Sequence, residues 1–147
     1  MASIEVFSYA TPPVVIKGQE GTATQAYVIG DLVKFEAAGR FVIGTAACVY
    51  AIARKAAIGT AGTVGDYELL SLDNLYIIYA GAAVTTAQAD VGGELDITFT
   101  VGAHVGLANA TSGVDGVIVM LHPEDGAKLA GRYIFRFKAS AISETGA

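Results

Sequence analysis

The sequence predicts an all-β fold, a compact sandwich or barrel of short antiparallel strands with an extended N-terminal arm. Three observations predict it. Clusters of Gly, Asn, Asp and Thr interrupt the chain about every 8–12 residues, the spacing of an all-β sandwich or barrel. The segments between the clusters alternate apolar and polar residues, or run apolar throughout. No stretch has the apolar periodicity of a long helix, and the most helix-tolerant run, 49–57, leads straight into Gly59, Gly62 and Gly65.

The elements follow in chain order. Ser3 to Tyr9 alternates like a strand, Pro12-Pro13 forces an extended path, and Gly18 to Thr24 is small and polar. A strand-like piece held off the body in this way predicts an arm over residues 1–25 that pairs with a neighbouring subunit. Such an arm would present Ile4, Val6, Phe7, Tyr9, Pro12 and Pro13 to its partner. An ordinary first strand of the same sheet is the alternative.

The β domain is expected over 26–142. Strands at 29–36 and 41–50 are joined by Ala37-Ala38-Gly39-Arg40, where Gly39 can take a positive φ. Strands at 67–72 and 75–80 flank the turn pair Asp73-Asn74. The clearest alternation is Leu95 to Val101, with Leu95, Ile97, Phe99 and Val101 on one face and Asp96, Thr98 and Thr100 on the other. Val114 to Leu121 is apolar on both faces, as a central or interface strand would be. In 132–138, Tyr133, Phe135 and Phe137 point inward, and Arg132, Arg136 and Lys138 outward. Single helical turns are expected at 85–90 and 123–129, Pro123 suiting a first helical position. Residues 143–147 read as a frayed tail.

Composition bears on function. The 147 residues are 53% apolar with a mean hydropathy of +0.52, and only 16% are charged, against about 25% in a typical soluble domain. A chain of this length buries only about two-thirds of the surface its unfolded form exposes. Much of the remainder must therefore be apolar or small-residue surface, of the kind covered by other subunits. With two His, one Cys and no Trp, the chain reads as a building block rather than an enzyme. A net charge of −5 argues against a nucleic-acid surface. Cys48 stands alone in the apolar run 41–53, a buried small hydrophobe by expectation. That run is too short for a membrane-spanning helix, and no basic region followed by an apolar one opens the chain. Assembly in a cytoplasm, away from membranes, is the expectation. Asn109-Ala110-Thr111 fits the glycosylation sequon but is read as coincidence.

Candidate chemistry is sparse. His104 and His122 have no second His, Cys or carboxylate at metal-ligand spacing. His122, before Pro123-Glu124-Asp125, reads as a solvated loop residue, and His104 as a packed or interface residue. There is no G-x-S-x-G elbow. Gly59, Gly62 and Gly65 lack the Lys-Ser/Thr of a phosphate loop. Asp90, Glu94 and Asp96 read as acidic turn residues rather than a Ca²⁺ site. No catalytic, cofactor-binding or metal residue is expected.

Gly30-Asp31-Leu32-Val33-Lys34-Phe35, followed by Gly39-Arg40-Phe41-Val42 and then Ala57-Ile58-Gly59-Thr60-Ala61, resembles the opening of small capsid decoration (cement) proteins of tailed bacteriophages. The resemblance covers roughly residues 27–83. It implies a compact β domain, commonly a homotrimer, on the outside of the virion head with an N-terminal arm touching the major capsid protein. Such a protein would stabilise the capsid by binding only its assembled state. A tail-tube subunit is the structural alternative, although no long helix against the sheet is readable. A small β-barrel carbohydrate- or ligand-binding module is another, although no Trp is present.

Overall fold

The computed structural model describes residues 3–22 and 24–143. The fold is all-β. Its strands are β1 (Glu5–Ser8), β2 (Val15–Gln19), β3 (Leu32–Phe35), β4 (Phe41–Ile43), β5 (Ala51–Ala53) and β6 (Val64–Leu69). They continue with β7 (Leu75–Ala80), β8 (Glu94–Thr98), β9 (Val105–Asn109), β10 (Gly116–Leu121) and β11 (Arg132–Phe137). Single 3-10 turns at Gln88–Asp90 and Ala139–Ala141 are the helical pieces among the described residues.

Two sheets form. The first runs β1-β7-β11-β10-β8-β9, and β9 returns to β7 in parallel through Tyr79↔Val105 and Ala80↔Gly106. Strands β7, β11, β10, β8 and β9 thereby close a barrel, which removes the exposed edges an open sheet would leave. The closure needs a residue without a side chain: a Cβ on Gly106 would lie 2.8 Å from Leu95 Cδ1 and 3.0 Å from Ile78 Cγ2. The second sheet runs β2-β6-β5-β3-β4. Its end strands are drawn together by a bridge between Glu20 and Phe41, where the Gly21 N–H donates to the Phe41 carbonyl at 2.8 Å.

The alternation of short strands divides the interior in two. Leu32 and Ile52 face the barrel sheet and join Ile4, Tyr76, Ile78, Leu95, Ile118, Tyr133 and Phe135 in the larger core. Their neighbours Val33, Ala51 and Ala53 face the other way and join Tyr27, Phe41 and Tyr67 in the second core. All three residues of β5 are therefore buried, because it lies between the two cores. In the second core Phe41 stacks on Tyr67 at 3.9 Å between ring centroids.

The N-terminal arm over 1–25 is corrected. Ile4 is fully buried in the larger core, and its N–H donates to the Gly30 carbonyl at 3.0 Å. β1 pairs antiparallel with β7 of the same chain, so the alternation of Ser3 to Tyr9 is satisfied internally. Pro12-Pro13 lies in the crossover from the first sheet to the second. Gly18 is the inward face of β2, where a Cβ would meet the Phe41 ring at 2.4 Å, so the stretch after Pro13 is a packed strand rather than a linker. The expected boundary at residue 25 accordingly falls inside a continuous domain.

Other elements are placed more finely. The 36–40 turn forms as expected, with Gly39 at φ 75°. β8 ends at Thr98, and Val101 sits exposed in a turn instead of on the inward face. β6 and β7 flank Asp73-Asn74 but belong to different sheets, so 70–74 is a crossover. The helical turn expected over 85–90 narrows to Gln88–Asp90, while 123–129 forms turns without a helix. Cys48 is half-buried in the tight 45–48 turn, less enclosed than expected. Of the 143–147 tail, Ser143 is tied by its N–H to the Val49 carbonyl at 2.9 Å, and 144–147 lie outside the described residues.

Candidate functional site

Among the residues expected to bind a partner, Ile4 is enclosed and Val6 packs against the larger core. Phe7, Tyr9, Pro12 and Pro13 remain exposed. Tyr9 is held by its hydroxyl, which donates to the Glu68 carboxylate at 3.0 Å. The next two N–H groups, of Ala10 and Thr11, donate to Asn74 Oδ1 at 2.9 and 3.0 Å. These contacts fasten the segment along its length. It offers a few apolar side chains and is not a free strand.

The Ser, His and Asp that meet in space are Ser3, His104 and Asp31, all buried. Their connectivity is structural. The Ser3 hydroxyl donates to Asp31 Oδ1 and accepts from the His104 backbone N–H at 3.1 Å. The imidazole faces neither Ser3 nor solvent: Nε2 accepts from the Leu32 N–H at 3.1 Å, and Nδ1 lies 2.8 Å from the Thr100 carbonyl. These contacts place the ring proton on Nδ1. Burial lowers the His104 pKa, only partly countered by the Thr100 carbonyl and by Asp31, whose Oδ1 is 3.7 Å from Nδ1. Asp31 further accepts the N–H groups of Val28 at 3.1 Å and Gly102 at 3.0 Å. The cluster binds the start of β1, the 28–31 turn and the 100–104 loop together. It tethers loops and holds no base aimed at a nucleophile.

Other buried acids act in the same way. Glu20 accepts the N–H groups of Ile58 and Gly59, each at 3.0 Å. Asp115 accepts those of Ala47 and Ile97 at 2.8 Å, which also supports Ala47 at its positive φ of 56°. Burial raises the Asp115 pKa against the pull of those two donors. Asp125 receives Nε and the backbone N–H of Arg132 at 2.9 Å, and hydrogen bonding by that guanidinium holds its carboxyl down to about 2. Tyr27 and Tyr67 share a 2.6 Å hydroxyl contact in the second core. Desolvation raises both phenols, most strongly Tyr27. Asp90, Glu94 and Asp96 do not converge: Asp90 accepts from the Tyr133 hydroxyl, Glu94 from Lys138, and Asp96 from Asn109 and the Val114 N–H.

The expectation of a solvated His122 is corrected as well. It is only 7% exposed, and the edge of Phe7 meets its ring at 5.8 Å between centroids. β1 and β10 flank β7 and β11, so this contact crosses over the outer face of those two strands. That accounts for the burial of Ile77 and Ile134, a cross-strand pair facing away from the barrel interior. Phe7 thus acts as a roof within its own chain.

Beside that roof the outer face opens. A groove of about 550 Å³ is lined by Leu72, Asp73, Leu75, Val117, Val119 and Arg136, among others. Leu72 is 43% exposed and also borders the two adjoining hollows toward Ala139 and Ile142. The groove forms because the 70–74 crossover passes beside β10 and β11. The sequence carries a partial sign of it, since Val114 to Leu121 is apolar on both faces and Arg136 points outward. Leu72 and Asp73 are not readable as part of it, because only the crossover brings them there. Compared with protein-family models, curated proteins and solved structures, the chain matches none.

Proposed function

We propose that this protein is a non-enzymatic structural subunit that works by binding protein surfaces. Following the resemblance of Gly30–Phe35 and Gly39–Val42, the reading is a capsid decoration protein on the exterior of a tailed-phage head. The observation that carries the surface-binding part is the open apolar groove around Leu72, Leu75, Val117 and Val119 on the outer face of a closed barrel. It is consistent with that reading that the buried Ser3–Asp31–His104 group and the acids Glu20 and Asp115 are engaged in holding loops. A rigid body of this kind suits a subunit that must add to a lattice without changing shape. Its effect on a particle follows from mass action: a protein that binds only the assembled lattice shifts the equilibrium toward it, and many copies multiply a modest contact energy.

The test is reconstitution. The purified chain is added to undecorated expanded heads, and the particles are imaged by electron microscopy and heated. Added density at symmetric lattice positions together with a higher disruption temperature is the expected result. Heads that acquire no density at saturating protein would refute the decoration reading.

A further inference from the structure

We propose that the tip of the β8–β9 hairpin, residues 100–103, is an acid-operated flap that His104 latches shut and that a second proton on its ring releases. The inference goes beyond the proposed function and holds whichever surface the subunit binds.

The argument begins with how the tip is held. β8 ends at Thr98 and β9 begins at Val105, and that pair closes the hairpin. Of the residues beyond it, Phe99 packs against the larger core. Thr100, Val101 and Ala103 are exposed, and Gly102 has no side chain to bury. Apolar contact therefore does little to keep the tip down. Among the described residues, two polar ties join it to the second sheet. The Gly102 N–H donates to Asp31 at 3.0 Å, and the His104 ring spans the Thr100 carbonyl at Nδ1 and the Leu32 N–H at Nε2. A segment with few buried contacts is the kind that opens locally while the rest of a chain stays folded.

Both ties fail together when the ring is charged. Neutral imidazole has one donor and one acceptor, and here both are used. A proton on Nε2 would face the Leu32 N–H across 3.1 Å, donor against donor, so the ring has to leave that position. Asp31 is the charged group beside the ring among the described residues, and its other neighbours, Ser3, Leu32, Phe99 and Thr100, are uncharged. Asp31 Oδ1 lies 3.7 Å from Nδ1. It is the acceptor to which an imidazolium turns, because a charge-assisted bond is roughly twice as strong as a neutral one. Taking it frees the Thr100 carbonyl and competes with the Gly102 N–H for the same carboxylate. Burial opposes the charged ring more than Asp31 favours it, which lowers the His104 pKa, so acid shifts the hairpin toward the open form. Above pH about 6.5 the ring is neutral in both forms and the flap is shut.

Native-state hydrogen exchange on the full chain tests this, followed by NMR at pH 7.5 and 5.5 and corrected for intrinsic amide rates. The Leu32 and Gly102 amides should lose protection by about three- to tenfold on acidification, because the open ring takes up a proton near pH 6.5 and the closed ring resists it. Their exchange should be indifferent to low urea, since a local opening exposes little surface. The Leu69 and Ile118 amides, bonded to the Val14 and Gly93 carbonyls, should instead follow the urea slope of global unfolding. His104→Gln keeps a donor for Thr100 and an acceptor for Leu32 but has no titrating proton, so the acid loss at Leu32 and Gly102 should vanish.

A smaller loss of protection at those two amides overturns the proposal. So does a urea slope equal to that of Ile118, which would mean that the tip opens only when the chain unfolds. A His104→Gln variant with the wild-type loss would place the proton elsewhere and overturn it as well. Should that variant not fold, the ¹³C shift of the wild-type His104 ring decides. Protection at Leu32 and Gly102 should stop falling at the pH where the ring titrates, and a plateau at any other pH refutes the latch.

Discussion

Replacing Asp31 with Asn should cost far more than the loss of one charge at a surface. Asp31 is fully buried and satisfies three donors: the Ser3 hydroxyl, the Val28 N–H at 3.1 Å and the Gly102 N–H at 3.0 Å. Hydrogen bonds to a charged acceptor are worth about 1.5–3 kcal/mol each, and a buried donor left without one pays its desolvation in full. Asn keeps the size and one acceptor oxygen, but turns an NH₂ toward backbone N–H groups that also donate. The expected loss is about 2–3 kcal/mol for Asp31→Asn and about 3–5 kcal/mol for Asp31→Ala, which leaves all three donors unmet. Against a typical total of about 5–15 kcal/mol, the Ala variant would be marginal at best. Urea unfolding is the assay: the midpoint should fall while the slope m stays constant. Ser3→Ala, which removes one of the three donors and leaves the buried His104 N–H without its acceptor, should lose about 2–3 kcal/mol. Its effect should not add to that of Asp31→Asn, because the two side chains share a bond. If Asp31→Asn unfolds within about 0.5 kcal/mol of the wild type, the idea that this carboxylate holds three segments together is wrong.

Three further outcomes follow from the same geometry. Deleting residues 1–25 should unfold the chain, since it removes a strand from each sheet together with the buried Ile4 and Glu20; a folded product with native dichroism would restore the arm reading. Gly18→Ala should destabilise by about 1–3 kcal/mol through overpacking, because the new Cβ lies 2.4 Å from a Phe41 ring that is already stacked on Tyr67; an unchanged melting temperature would show that the ring can move aside freely. Stability should also fall as pH drops below about 6.5, where an unfolded imidazole takes up a proton that buried His104 resists. The slope from this residue is at most about 1.4 kcal/mol per pH unit, and it vanishes above pH 6.5, where both states are neutral. His104→Gln should flatten the dependence measured by urea midpoints between pH 7.5 and 5, and an unaltered slope would place the proton uptake elsewhere.

The sequence by itself determined that the chain would be all-β and where most of its strands lie. Alternation at period two is a local property, written by which residues can face a core and which can face water. Leu95 and Ile97, or Tyr133, Phe135 and Phe137, therefore point inward wherever their strands are placed. Local pattern also called the 36–40 turn, because a positive φ there asks for glycine.

Strand partnership was decided only by the tertiary structure. Ser3 to Tyr9 has the pattern of an edge strand, and that pattern is identical whether the edge it joins belongs to the same chain or to a neighbour. The first half of β7, which β9 does not reach, decided it, because β1 pairs there and Ile4 enters the core beside Leu32 and Ile52. His122 looked solvated because Pro123, Glu124 and Asp125 follow it, yet a phenylalanine more than a hundred residues earlier covers it. The same limit hid the groove. Val117 and Arg136 could be read as outward-facing residues, but Leu72 and Asp73 reach them through a crossover between sheets. Periodicity records which face of a strand is wet or dry. It holds no information about which distant segment will lie beside that face, because that depends on how the two sheets close and pack.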